Sequence, residues 1–419
     1  MIIAIIGAGA AGLMAAIQAA ENGADKVLLF EKNALPGRKI LLTGNGRCNV
    51  TNTEDLRTYP EKYFGNGKFL YKSLAAFSPK DLVDFLAAQG VKTKAEEGGR
   101  VFPMSDRAQD VVNALFARAE ALGVVFHENE AIADIRKNTD GRIAKVVSNH
   151  ASYDVDACVL CVGGSSYPGT GSSGDGVLLA SRLGHTIVPV RPSLAPLDVE
   201  PVVLESVQGV SLRDIGVHAL MDGKVIASAA GDLIFTHFGL SGPAVLPLSR
   251  FLPLDEKYYE DGRVSVSLDL WPKLTHDAAR EEMKALIIEN QSRKLSNVLG
   301  KSWPDSLVNL LLSRAVIPEE VFCHELKKEL RERLTSVLKD FSFAIKKVPS
   351  FSKAMVTAGG VSLKEVDPKT MQSKLVPGLF FAGEILDIDG DSGGYNLQAA
   401  FATGYVAGTS AYVFALSTD

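Results

Sequence analysis

Three glycines near the start of the chain have the spacing of a nucleotide-binding turn. The apolar run Ile2–Ile6 leads into Gly7-x-Gly9-x-x-Gly12, and a second apolar run ends at Glu31, nineteen residues after the third glycine. The first glycine permits a tight turn, the second lets the backbone approach a pyrophosphate, and the third lets a helix pack on a strand. A carboxylate at Glu31 can accept hydrogen bonds from ribose hydroxyls. We therefore predict a dinucleotide-binding βαβ unit, the alternative being a purely structural glycine-rich turn.

The other end of the chain indicates which dinucleotide is bound. Leu379–Ala382 is strand-like and runs into Gly383-Glu384, where a carboxylate can bond hydroxyl groups on the flavin side of FAD. The segment Ser392–Asn396 then opens the last helix, whose first amides can face the N1/O2 edge of a flavin, where negative charge gathers on reduction. This pattern favours FAD over NAD. The alternative is an ordinary turn followed by a helix cap.

Three side chains are candidates for chemistry beside a flavin. His237, between Thr236 and Phe238, could act as an acid or base at neutral pH, or could be a buried histidine that stabilises its turn. Tyr395 could donate a hydrogen bond to substrate or flavin, or could pack at the helix start. Arg47 could bind an anionic substrate group or a phosphate, or form structural ion pairs.

The elements that must position these residues fall into two parts of the chain, which differ in their secondary-structure patterns. Strand and helix patterns over the first 190 residues include an expected β-meander at 124–162. Short β-like runs follow, then a charged helical stretch at about 275–338, and the chain ends in a helix at 397–412. This order predicts one nucleotide-binding domain split by an insertion at about 190–350.

Composition excludes several classes of protein. The 419 residues carry 44 basic and 49 acidic side chains, a net charge of −5, and no basic run, so we expect no nucleic-acid partner. Glycines interrupt the apolar N-terminus, so we expect neither a signal peptide nor a membrane span there. Four cysteines fit a reducing compartment, and we expect a cytoplasmic protein without a metal site.

Four further segments carry a family resemblance. They are Gly37–Leu41 with Thr43–Asn52, Tyr167–Gly171 with Gly174–Gly176, Leu233–Pro243, and Thr357–Val361. With both chain ends, they resemble the aminoacetone oxidase-like (BaiN/YhiN-type) flavoproteins, a family similar to the fumarate-reductase group. The resemblance implies an α/β fold with non-covalent FAD. In it, a Rossmann-like FAD-binding domain is split by a β-barrel-like insert that carries a small helical subdomain.

The resemblance implies domain boundaries and cofactor-binding residues for this sequence. We expect the FAD-binding domain at 1–190 and 350–419, the β-rich insert at 191–272 and 338–349, and the helical subdomain at 273–337. The catalytic candidates are His237 and Tyr395. The predicted cofactor-binding residues are Gly7, Gly9, Ala10, Ala11, Gly12, Glu31, Lys32, Arg38, Lys39, Asn45, Gly46, Arg47, Cys48, Gly163, Gly383, Glu384, Gly394, Tyr395 and Asn396.

Three functions are compatible with these features. The first is an FAD-dependent oxidoreductase that takes hydride from a small molecule onto flavin N5, for instance an amine or aminoketone oxidase. The second is an NAD(P)H-dependent reductase of an enone-like or steroid-like substrate; NAD(P)H would dock directly on the flavin, because no dedicated domain is evident. The third is a flavin-binding sensor or interaction module without turnover. The oligomeric state is left open.

Overall fold

The structure is a computed structural model, and it describes residues 1–199 and 205–417 of the chain. The chain divides into two compact units. Unit 1 comprises Met1–Pro192 and Met355–Asp419, and unit 2 comprises Ser193–Ala354. Unit 2 is therefore an insertion within the sequence of unit 1.

The strands are, in chain order, β1 (Ile2–Ile6), β2 (Lys26–Phe30), β3 (Thr51–Asn52), β4 (Thr93–Ala95), β5 (Arg100–Pro103), β6 (Val125–His127), β7 (Ile132–Lys137), β8 (Ile143–Ser148), β9 (Ser152–Asp154), β10 (Ala157–Leu160), β11 (Ile187–Ser193), β12 (Leu197–Asp198), β13 (Ser211–Met221), β14 (Lys224–Phe235), β15 (Gly239–Ser241), β16 (Val264–Asp269), β17 (Phe341–Ala344), β18 (Val356–Val361) and β19 (Leu379–Phe381).

The α-helices are α1 (Ala10–Glu21), α2 (Tyr71–Ala76), α3 (Pro79–Ala88), α4 (Ala108–Ala121), α5 (Asp175–Arg182), α6 (Lys257–Glu260), α7 (His276–Glu289), α8 (Leu295–Leu299), α9 (Asp305–Arg314), α10 (Lys328–Lys339) and α11 (Tyr395–Leu416).

The main sheet of unit 1 has the strand order β19-β10-β1-β2-β6, and all of its pairings are parallel. Strand β1 lies in the centre, so side chains on both of its faces are buried, as the unbroken run of Ile and Ala residues predicts. Parallel strands end at one edge of a sheet. Gly7, Glu31 and Gly383, which follow β1, β2 and β19, therefore lie along the same edge.

Helix α11 packs lengthwise on α1 through small residues. An added Cβ on Gly404 would lie 2.3 Å from the carbonyl oxygen of Ala11, and one on Gly408 would lie 2.3 Å from that of Ala15. By length and composition α11 could cross a membrane, but more than half of it is buried inside the protein. In unit 1 this helix is therefore part of the core.

The predicted meander at 124–162 is wrong in part. Strands β7, β8 and β9 do form an antiparallel three-stranded sheet, and Gly141 in the β7–β8 turn has a positive φ of 80°. Strands β6 and β10 instead belong to the parallel main sheet. Strand β10 is buried on both faces between β1 and β19, so its apolar run marks a central strand and not a meander edge.

Unit 2 contains a six-stranded sheet with the order β12-β15-β14-β13-β16-β17, and its pairings are antiparallel. Just beyond the two outer strands, Val199 and Ile345 form an antiparallel bridge. The N–H of Lys346 also donates to the carbonyl of Asp198 at 2.9 Å. Helices α7 to α10 contribute to the same apolar core as this sheet, for example through Met283 and Leu311.

Candidate functional site

The glycine-rich turn between β1 and α1 is shaped by close backbone packing. Gly7 has a φ of 97°, and an added Cβ on it would lie 2.7 Å from the carbonyl oxygen of Cys161. A Cβ on Gly12 would lie 1.7 Å from the carbonyl oxygen of Gly7, so only glycine lets α1 approach the turn. Gly9 differs from both, since no heavy atom lies within 4 Å of its Cβ position. The backbone at Gly9 therefore faces open space.

The first turn of α1 has backbone N–H groups that donate no hydrogen bond within the described part of the protein. Gly9 is the N-cap residue and makes no side-chain cap, and the first helical bond runs from the N–H of Leu13 to its carbonyl. Among the described residues, the N–H groups of Ala10, Ala11 and Gly12 have no acceptor. Open space beside such donors fits a pyrophosphate group.

Glu31 is held beside this turn by three hydrogen bonds. Its Oε2 accepts from the N–H of Ala8 at 3.1 Å, and its Oε1 accepts from the backbone and side-chain nitrogens of Asn33 at 2.9 and 2.7 Å. The side-chain oxygen of Asn33 accepts in turn from Arg38 at 2.8 Å. Asn33, which was absent from the predicted set, thus links two predicted cofactor ligands.

The loop that follows β10 reaches back over this segment. The carbonyl of Thr170 accepts from Asn33 Nδ2 at 3.2 Å, and a Cβ on Gly171 would lie 2.4 Å from the same nitrogen. Lys32 forms an ion pair with Asp175 at 2.6 Å, next to this loop. Gly163, at the start of the loop, has a φ of 72°. The loop therefore lies across residues 31–33, where an adenosine ribose would bind.

Glu384 and Lys39 form a partly buried ion pair. Lys39 Nζ lies 2.5 Å from Glu384 Oε2 and donates to Ser166 Oγ at 2.6 Å. The other carboxylate oxygen of Glu384 accepts from the N–H of Thr357 at 2.7 Å and from Ser166 Oγ at 2.8 Å. Both oxygens of the predicted flavin-side acid are thus engaged by residues from three segments distant in sequence. Nothing in the sequence pattern indicates Ser166 or Thr357 as its partners.

The C-terminal part of the site meets the N-terminal part within unit 1. Gly383 has a φ of 76°, and a Cβ on it would lie 2.9 Å from the Cβ of Ala11. Gly394 is the N-cap of α11 with a φ of 99°, and a Cβ there would lie 2.4 Å from the carbonyl oxygen of Thr51. Within the described ranges, the N–H groups of Tyr395, Asn396 and Leu397 find no acceptor. The start of α11 therefore offers donors of the same kind as the start of α1.

Tyr395 and Asn396 use their side chains within the protein. Tyr395 donates its hydroxyl to Glu54 Oε2 at 2.5 Å, and Lys62 lies 3.1 Å from the other oxygen of that carboxylate. Burial, and then the Glu54 carboxylate, raises the pKa of Tyr395, so the phenol stays protonated. Asn396 holds the preceding loop through hydrogen bonds of 2.8 and 2.9 Å to Gly390. The contact with Glu54 was not foreseen from the sequence.

The predicted segment Asn45–Cys48 forms an unusual turn. Gly44, Asn45 and Gly46 all have positive φ values, of 57°, 57° and 84°, and all three are exposed. Such a backbone costs energy for Asn45 and is typical of functional loops. Cys48 is buried, and burial raises the pKa of its thiol to about 12, so it is not a nucleophile at neutral pH.

The Arg47 side chain forms ion pairs with two carboxylates. Its guanidinium donates to Asp106 at 2.8 Å and to Glu96, and it lies 4.1 Å from the centre of the Phe102 ring. The hydrogen bonds to these acids raise the pKa of Arg47. Lys94 adds a second cation to the group, 2.5 Å from Asp106. The structure thus shows structural ion pairs at Arg47.

His237 is the one predicted site residue in unit 2. It lies on an exposed turn, whose backbone is fixed by Thr236, since Thr236 Oγ1 accepts from the N–H of Gly239 at 3.1 Å. Its ring packs edge-on to Phe238, with the ring centres 4.8 Å apart. Across the part of the chain that the structure describes, neither ring nitrogen of His237 has a hydrogen-bond partner. The interpretation of His237 as a buried structural histidine is therefore wrong.

A further candidate residue, in the segment before β3, was missing from the prediction. Asn49 Oδ1 is buried and has no hydrogen-bond partner among the described residues. The only sequence signal is its place in the run Thr43–Asn52, next to the predicted Cys48. Separately, the described residues contain no group of three or more His, Cys, Asp or Glu side chains placed to hold a metal ion.

The residues of unit 1 fit an FAD molecule. The open backbone at Gly9 fits the pyrophosphate, Glu31 fits the adenosine ribose, and the free N–H groups of α11 fit the electron-rich edge of the flavin. When bound, the flavin supplies hydride transfer through N5, while the protein binds and orients it. The fold and site together define a Rossmann-type FAD-binding protein.

Comparison with known proteins identifies the family. Residues 1–410 match the HI0933-like protein Rossmann domain, and the chain belongs to this family of flavin oxidoreductases (BaiN/YhiN-type). It is 33% identical to the 3-dehydro-bile acid delta(4,6)-reductase of Clostridium scindens over 98% of both chains. It is 32% identical to the ribosomal RNA dihydrouridine synthase of Escherichia coli over 96% of this chain and 95% of that protein. The predicted resemblance is thus confirmed.

Solved structures with low sequence identity share the fold. A quinol-fumarate reductase with menaquinol molecules gives a TM-score of 0.54 at 15% identity, over 100% of this chain and 71% of that chain. The 3-ketosteroid delta1-dehydrogenase of Sterolibacterium denitrificans gives 0.51 at 13% identity, over 99% of both chains. These similarities concern the architecture alone.

Proposed function

We propose that the protein is an FAD-dependent reductase that saturates a carbon–carbon double bond conjugated to a carbonyl group. The observation that carries this proposal is the chemistry shared by two kinds of full-length relative. A delta(4,6)-reductase of a 3-oxo bile acid and a dihydrouridine synthase both add two hydrogens across such a bond. Of the three functions compatible with the sequence, enone reduction is therefore the one that we favour over amine oxidation.

The chemistry of such a bond requires hydride at one carbon and a proton at the other. FAD held by the turn at Gly9 and the start of α11 would supply the hydride for the carbon β to the carbonyl, whose oxygen would carry the charge that develops. The α carbon then takes a proton from a side chain or from water. We propose His237 and Tyr395 as the residues to examine. His237 has free ring nitrogens on an exposed turn, whereas the Tyr395 hydroxyl is already bonded to Glu54.

The electron donor is part of the same proposal. The sequence offers no second dinucleotide-binding domain, so NAD(P)H would dock directly on the flavin. Anaerobic mixing with NADH or NADPH should bleach the flavin, and a 3-oxo-Δ4 steroid should then restore its colour. Mass spectrometry should show a product two hydrogens heavier than the steroid. Bleaching by amines or aminoketones, but by neither NADH nor NADPH, would contradict reductase function and support the oxidase.

A second candidate substrate is a uridine in RNA. It is favoured by the names of two relatives, from Escherichia coli and Haemophilus influenzae, the latter 32% identical over 97% of both chains. The expectation of no nucleic-acid partner came from the net charge of −5 and stays a prediction. Incubation of an unmodified ribosomal RNA transcript with the reduced enzyme, followed by nucleoside mass spectrometry, tests this candidate. Formation of dihydrouridine would support it, and its absence alongside steroid reduction would exclude it.

The shape of the unit 2 sheet, the location of the protein and its partners are also proposals. We propose that the sheet of unit 2 is barrel-like, which the Val199–Ile345 bridge between its outer strands supports. We further propose a cytoplasmic location, a small-molecule substrate and no membrane partner. Family membership argues against a flavin sensor without turnover. If His237→Ala and Tyr395→Phe both keep FAD and full turnover, neither residue is catalytic.

A further inference from the structure

We propose that Asn49 accepts a hydrogen bond from the N3–H group of the bound flavin. Its Oδ1 atom is buried without a partner among the described residues. A buried acceptor that has lost its water without gaining a donor destabilises a protein, so such atoms are rare and call for an explanation. A ligand donor that arrives on binding supplies one. The inference rests on FAD occupying unit 1, and it is independent of the reaction.

The strand that follows Asn49 places it beside the start of α11. Asn49 lies two residues before Thr51, where β3 begins, and a Cβ on Gly394 at the start of α11 would lie 2.4 Å from the carbonyl oxygen of Thr51. Thr51 directs its hydroxyl to Gln398 of α11, at 2.8 Å. Asn49 therefore lies within two residues of a contact with the start of α11.

The donors and acceptors at this end of the site match one edge of a flavin. That edge presents an acceptor, O2, next to a donor, N3–H. The free N–H groups at the start of α11 supply donors for O2. Neighbouring acceptors are already engaged, because the carbonyl of Gly393 accepts from Asn52 at 3.1 Å and Glu54 accepts from Tyr395. Among the described side chains of this segment, Asn49 Oδ1 is a buried acceptor without a donor, and we assign it to N3–H.

A flavin without the N3 proton tests this assignment directly. Apo-protein is titrated with FAD and with N3-methyl-FAD, and the dissociation constants are measured by flavin fluorescence. We expect the wild type to prefer FAD by about tenfold or more, the worth of one buried hydrogen bond. In Asn49→Ala this ratio should fall to about one. In Asn49→Asp, which keeps an acceptor at the same position, the preference should persist.

Two controls separate the possible outcomes. Asn113→Ala, on the exposed face of α4, should keep the wild-type ratio. The melting temperature of apo Asn49→Ala should equal or exceed that of the wild type, because no existing bond is lost. If Asn49→Ala keeps the full preference for FAD, or if the apo variant is clearly destabilised, the assignment is wrong. A wild type that binds neither flavin would instead contradict the FAD site itself.

Discussion

At the scale of single residues, the site in unit 1 contains residues placed to contact a ligand and residues that pair with other side chains of the protein. Gly9 presents its bare backbone to open space, as expected for a group that touches a ligand, and Glu31 is held beside it by hydrogen bonds from Ala8 and Asn33. Lys39 and Glu384 instead satisfy each other, and Arg47 satisfies two acids. The residue types of all five could be predicted from the sequence. Which of them contact a ligand and which pair within the protein depends on partners such as Asn33 and Ser166. These partners reach the site residues only in the folded chain.

Replacement of Glu31 by alanine should weaken FAD binding without unfolding the protein. The carboxylate fits the ribose hydroxyls, and charged hydrogen bonds contribute about 1.5–3 kcal/mol each. We therefore expect the FAD dissociation constant to rise by about ten- to a hundredfold. Glu128→Ala, at an exposed position of the same unit, serves as the control. Equal affinities of Glu31→Ala and this control would exclude Glu31 as a ribose ligand.

At the scale of elements, small residues and buried polar groups join helices and loops to the main sheet. The sequence indicates the closing helix and its glycines, and α11 indeed begins and ends within a few residues of the prediction. It does not indicate that Gly404 and Gly408 face α1. Helix periodicity shows which residues share a face, but the partner of that face is set by the tertiary fold.

The contact between α1 and α11 should not tolerate a side chain at Gly404. Its Cβ would lie 2.3 Å from a backbone oxygen, so the helices must separate and lose packing along their length. We expect Gly404→Val to lower the free energy of unfolding by about 3 kcal/mol or more. Urea denaturation of apo-protein measures this change. Val413→Ala, at an exposed position of the same helix, should change it by less than about 1 kcal/mol.

A buried histidine should make unit 1 sensitive to mild acid. His185 Nε2 lies 2.9 Å from Ser373 Oγ, and its Nδ1 lies 3.2 Å from Glu365. Burial, partly offset by Glu365, lowers the pKa of His185 from 6.5. The unfolded chain therefore takes up the proton first as pH falls, so the stabilisation is complete above about pH 6.5 and is lost below it.

The variant His185→Gln isolates this effect, because glutamine does not titrate. Unfolding free energies at about pH 7.5 and about pH 5.5 should show a larger loss for the wild type than for the variant. Groups that do not contact His185 contribute equally to both proteins, so the difference belongs to His185 and its partner Glu365. An identical loss in the two proteins would show that His185 does not control acid stability.

At the scale of the whole molecule, the order of sequence patterns along the chain predicts that one unit is inserted in the sequence of another. Apolar runs and glycines at both ends form one unit, and the middle of the chain forms another. The error at 124–162 arose because strands buried on both faces and meander strands share the same short apolar pattern. Hydrogen-bond partners up to 347 residues apart, such as Thr51 and Gln398, cannot be inferred from one sequence.

Binding of one FAD across Gly9 of unit 1 is the central claim. This position offers a direct test, because Gly9 has an ordinary extended φ of −81° and open space at its Cβ. A valine there should leave the melting temperature of apo-protein unchanged, yet it should block the pyrophosphate. Titration with FAD should then show one FAD bound per wild-type chain. Gly9→Val should bind about a hundredfold more weakly or not at all. Equal binding by both proteins, or none by the wild type, would contradict the claim.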